Sequence, residues 1–89
     1  MISETDKQII RELSEKYHVK KVLLFGSSLD PQKEGRDIDL AVEGINPRDF
    51  FDYYGDLMMH LSKPVDLIDM CHQSKFIALV RKEGLPLYG

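Results

Sequence analysis

The spacing of hydrophobic and polar positions changes period several times along the chain. Ile9, Ile10, Leu13 and Tyr17 recur at helical spacing behind Ser3, a capping residue, and Asp6, an acid placed where a helix dipole favours it. A first helix is predicted from Ser3 to Tyr17. Val22-Leu23-Leu24-Phe25 is an apolar run too short for a helix and closed by Gly26, so it reads as a buried strand. From Ser27 to Arg36 the composition is that of a loop, with Pro31 and Gly35 as breakers. Asp37 to Glu43 then alternates acid and apolar residues as a second strand. After the turn Gly44-Ile45-Asn46-Pro47, the residues Phe50, Phe51, Tyr54, Leu57, Met58 and Leu61 form one apolar helical stripe ended by Pro64. Val65-Asp66-Leu67-Ile68-Asp69 reads as a third strand. A last helix from Gln73 to Glu83 buries Phe76, Ile77, Leu79 and Val80, and Gly84 with Pro86 stops it.

The order helix, strand, loop, strand, helix, strand, helix predicts a small α/β or α+β sandwich, with helices packed on one face of a mixed sheet. The other face is then open. It carries Asp37 and Asp39, which share a parity opposite to that of Ile38, Leu40 and Val42. Two carboxylates about 7 Å apart, two residues at about 3.3 Å rise, repel each other unless a cation lies between them. A divalent metal resolves that repulsion. In the third strand the alternation leaves two registers open, one turning Asp66 to this face and one turning Asp69; the early position of Asp66 favours it, with Asp69 and Glu43 as second-rank candidates.

Length and composition narrow the classes. At 89 residues one domain, 1–89, is expected, burying roughly 60 to 65% of its unfolded surface. A formal charge of −3 offers no extended nucleic-acid surface. The single Cys71, read as a small buried or half-buried residue, cannot form an internal disulfide, and no Cys/His cluster has zinc spacing. The acidic, polar N-terminus and the lack of a long apolar run point to a cytoplasmic protein with no membrane span. His18, His60 and His72 are dispersed and read as structural or solvated. An EF-hand starting at Asp37 fails, because Val42 stands where glycine is needed and Arg48 where glutamate is needed. No P-loop motif occurs.

A Gly-Ser turn after a buried strand (Gly26-Ser27), a loop, Asp37-Ile38-Asp39-Leu40 on a strand and Val65-Asp66-Leu67-Ile68 on another together resemble the minimal nucleotidyltransferases of the DNA polymerase beta superfamily. Each piece alone is weak; their order and spacing make the match specific. The resemblance implies transfer of a nucleoside monophosphate, AMP from ATP being favoured, from a nucleoside triphosphate to an acceptor hydroxyl. It assigns catalysis and metal binding to Asp37, Asp39 and Asp66. It gives the triphosphate to Gly26, Ser27, Ser28 and Arg36, and it calls for two Mg2+ ions, with Mn2+ as a substitute. Short members of this family resemble antitoxins that attach AMP to a helical HEPN-type toxin or bind it. A separate HEPN-type partner is therefore expected, with a tyrosine as acceptor, while homo-oligomerisation stays open.

One segment departs from the family pattern. Ser28-Leu29-Asp30-Pro31 stands where an Arg-Gly and a short helix are usual, and Arg36 replaces the serine that precedes the first acid. Arg36 and Lys33 supply positive charge there, whereas Asp30 adds negative charge beside the phosphates. Reduced activity from the Ser28 to Arg36 loop is one consequence. The alternative function is accordingly a catalytically degenerate antitoxin, a binding module that neutralises its partner by contact.

Overall fold

The helices and strands read from the pattern all form, and a further strand follows them. The computed structural model describes residues 2–26 and 37–89. Along the chain run α1 (Glu4–Lys16), β1 (Lys21–Phe25), β2 (Ile38–Glu43), a 3-10 turn (Pro47–Asp49), α2 (Phe50–His60), β3 (Val65–Asp69), α3 (Lys75–Glu83) and β4 (Leu85–Tyr88). Ser3 caps α1 as the sequence predicts, and side-chain caps form at two further helix starts. Ser3 Oγ accepts from the Asp6 amide, Asn46 from that of Arg48 and Ser74 from that of Ile77, each satisfying a first-turn donor with no partner inside its helix. The Asp6 carboxylate is buried and accepts from the amide and hydroxyl of Ser62, tying the start of α1 to the end of α2.

The strands form one mixed sheet in the order β3-β2-β1-β4. β1 runs antiparallel to β2 and β4, and β2 runs parallel to β3. This is the mixed α+β architecture expected. β4 was not expected: Gly84 and Pro86 read as a stop, yet Leu85–Tyr88 adds to the free edge of β1. An edge strand tolerates a proline because one side of its backbone needs no donor. Leu87 is buried in the main core, and Arg11 Nε donates to its carbonyl at 3.2 Å, locking β4 under α1.

Alternation in the strands divides the core in two. Val22, Leu24, Ile38, Leu40, Val42, Val65 and Leu67 face α1 and α2, where they meet Ile10, Tyr53 and Leu57. Leu23 and Ala41 face the other way and are buried with Met70, Ile77 and Val80. The helices therefore do not all lie on one face. The third helix crosses the face expected to be open and covers its apolar half, because the turn at Met70 carries the chain over Ile68, Ala41 and Leu23. Among the described residues, no helix is long and apolar enough to cross a membrane.

Two helical stripes are rotated from their predicted phase. In α2 the buried residues are Tyr53 and Leu57, whereas Phe51, Met58 and Met59 are exposed. Tyr53 is drawn inward by two partners on α1 and its C-terminus: its hydroxyl meets Ser14 Oγ at 2.8 Å, and its ring packs edge-to-face on Tyr17 at 5.4 Å. Burial pushes the Tyr53 phenol up to about 12, so it stays protonated. In α3 only Ile77 and Val80 are buried, while Phe76 and Leu79 are largely exposed. Cys71 is exposed rather than buried, in the turn after β3 where its amide donates to Asp69.

Candidate active site

Strand register assembles the acidic site. Phe25 of β1 lies opposite Asp39 of β2, and Asp39 lies beside Asp66 of β3, so these three residues form one row across the sheet. Neighbouring strands are about 4.8 Å apart, which sets the spacing along the row. The next row inward, Leu23-Ala41-Ile68, is the apolar one under α3. Directly opposed residues share a face, so Asp39 and Asp66 point to the α3 side just beyond the apolar row. Asp37 is exposed one residue before β2, with the parity of Asp39. The Ile38 amide donates to the Pro64 carbonyl at 2.8 Å, pinning the starts of β2 and β3 level with each other.

Electrostatics match this placement. The Asp39 carboxyl is held above the ordinary carboxylate range, first by burial and then by the negative charges of Asp66 and Asp37. Asp37 and Asp66 thus both act on Asp39. Among the described residues, no three His, Cys, Asp or Glu side chains are grouped as a metal centre.

Gly26 belongs to the same site for a reason the sequence did not show. It adopts a left-handed φ of 72°, and a Cβ built on it would stand 2.6 Å from Asp39 Oδ2. The glycine therefore permits the turn after β1 and also leaves room for the Asp39 carboxylate. Gly26→Ala should cost about 1 kcal/mol or more of stability from the positive φ alone. It should also displace the Asp39 carboxylate from its place beside Gly26. Thermal melts check the cost, and an alanine variant as stable as the parent would show that the close approach of Gly26 to Asp39 carries no strain.

The second-rank acids lie elsewhere. Glu43 closes the far end of β2, paired with Arg81 and with Lys20, the latter at 3.4 Å; the Arg81 guanidinium holds the Glu43 carboxyl below the usual carboxylate range. Asp69 pairs in register with Val42, on the α1 and α2 side, and accepts from the Cys71 amide at 3.0 Å as a turn residue. The assignments of Ser27, Ser28 and Arg36 lie outside the described residues.

Residues 7–89 match the family model described as Polymerase beta, Nucleotidyltransferase, and the chain belongs to that family. No curated protein matches it. Solved structures with the same fold include a toxin-antitoxin complex with AMP-PNP, at TM-score 0.74 and 24% identity, covering 98% of this chain and 74% of the other. A MntA-HepT toxin-antitoxin structure gives TM-score 0.73 and 22% identity over 98% of this chain and 73% of the other. A double mutant of the toxin-antitoxin MntA-HpeT gives 0.72 and 23%, over 94% and 72%.

Proposed function

We propose that this chain transfers AMP from ATP to a hydroxyl acceptor, a tyrosine of a separate HEPN-type toxin, and so acts as a cytoplasmic antitoxin. The observation that carries this reading is the register of Asp39 beside Asp66, with Gly26 folded against the Asp39 carboxylate. Family membership supports the reaction class. Toxin-antitoxin complexes of the same fold, one of them with AMP-PNP, support the choice of partner and nucleotide.

The donor set suits magnesium, a hard cation that keeps several waters and takes few carboxylates. Asp37, Asp39 and Asp66 would hold two such ions, or Mn2+ in their place, which supply charge neutralisation at the transferring phosphate. In the reaction the acceptor oxygen bonds to the α-phosphorus as the bond from that phosphorus to the bridging oxygen of pyrophosphate breaks. Asp66, exposed at the start of β3, takes the hydroxyl proton. Gly26 keeps the backbone low beside the phosphates, and Ser27, Ser28 and Arg36 are assigned to them by family resemblance.

Contact-only neutralisation is the second reading. It is favoured by the outer side of α2, where Phe51 is 80% and Met59 79% exposed. Calorimetric titration with ATP separates the two. Magnesium-dependent binding that disappears in Asp37→Asn is expected for the enzyme, together with loss of toxin neutralisation. Full neutralisation by that variant would remove the enzymatic account.

A further inference from the structure

The row that holds the two acids ends on an aromatic residue. Phe25 sits opposite Asp39 on the same face, immediately before Gly26. Across it, Phe76 from the first turn of α3 packs edge-to-face, with ring centroids 5.8 Å apart and planes 79° from parallel. Phe76 is 53% exposed, so about half of a large apolar residue stays in solvent although Ile77 beside it is buried. α3 covers the apolar row, and Phe76 in its first turn reaches Phe25 at the β1 end of the acidic row, so that the Phe25–Phe76 pair walls that end.

We propose that this wall is the base-binding subsite of the nucleotide, with the exposed ring of Phe76 stacking on the nucleobase and Phe25 holding that ring in place. The inference rests on the nucleotide reading above and deepens it. With the α-phosphate at the acids and the outer phosphates against Gly26, the ribose and base leave from the α-phosphate, and Phe76 is an apolar ring standing beside that row. Stacking on an aromatic ring is tolerant of base identity, because every base has a π face. Phe76 thus supplies affinity for a nucleotide over a bare polyphosphate, and larger purine rings gain more from it than pyrimidines.

Two ligands and two variants test the subsite. The parent chain should bind magnesium-ATP more tightly than magnesium tripolyphosphate. Phe76→Ala should weaken ATP about five- to 150-fold while leaving tripolyphosphate unchanged. The chain contains no tryptophan, so Phe76→Trp installs a lone reporter. Its fluorescence should be quenched by ATP and not by tripolyphosphate, with ATP affinity retained. Parental ATP affinity in Phe76→Ala, equal loss of both ligands, or an indole indifferent to ATP would each overturn the subsite. A parent chain that binds neither ligand would overturn the nucleotide reading itself, and the subsite with it.

Discussion

Asp39→Asn should reduce magnesium-dependent nucleotidyl transfer about a thousandfold or more while leaving the fold intact. The estimate follows from removing a carboxylate that would share charge neutralisation at the phosphate, a contribution of several kcal/mol at the transition state. The same substitution should slightly stabilise the metal-free protein at neutral pH. Burial and the neighbouring Asp66 and Asp37 raise the Asp39 carboxyl above its ordinary value of 3.8, so the folded chain favours the protonated form. That stability is fully present below pH 3.8 and is lost as the pH rises through the folded value. The asparagine variant should therefore gain on the parent as the pH is raised from 3 to 7 and match it in acid. The gain is small because the carboxyl remains partly solvated. Thermal melts across that range, without metal, check the sign; a variant less stable than the parent at pH 7 would show that the aspartate makes a structural bond outweighing its repulsions.

Tyr53→Ala should cost about 3–5 kcal/mol, the scale of emptying an aromatic site in a packed core. For a domain whose total stability is on the order of 5–15 kcal/mol this leaves a chain close to unfolding. Tyr53 is wholly buried, packed edge-to-face on Tyr17 and hydrogen-bonded to the equally buried Ser14. Tyr53→Phe keeps the ring but strands the Ser14 hydroxyl, for a cost of about 1–3 kcal/mol. Phe51→Ala, two residues away on the solvent side, should change stability by less than about 0.5 kcal/mol. Urea denaturation of the three variants gives the order. Equal losses at Phe51 and Tyr53 would mean that α2 is rotated from its described orientation.

That rotation shows where the sequence ran out. α2 carries apolar side chains nearly all round, from Phe50 and Phe51 through Tyr53 and Tyr54 to Leu57, Met58 and Met59. Several stripes at helical spacing were available, and the choice fell to Ser14 and Tyr17 on a segment some 40 residues away. β4 was hidden for a related reason. Leu85-Pro86-Leu87-Tyr88 has strand character only where an unpaired edge, here that of β1, waits for it.

What the chain by itself determined is what depends on near neighbours: the helix starts at Ser3 and Asn46, the apolar alternation of the strands, and the pairing of Asp37 with Asp39 on one side of β2. These follow from capping chemistry and from the two-residue period of a strand. Only the tertiary structure decided that Asp66 rather than Asp69 joins them, because a parallel pairing fixes register through hydrogen bonds between segments distant in sequence. It alone brought Gly26 against Asp39, and it alone laid α3 over half of the acidic face with Phe76 at the border. Those contacts depend on which way each connection turns, and local patterning carries no information about that direction.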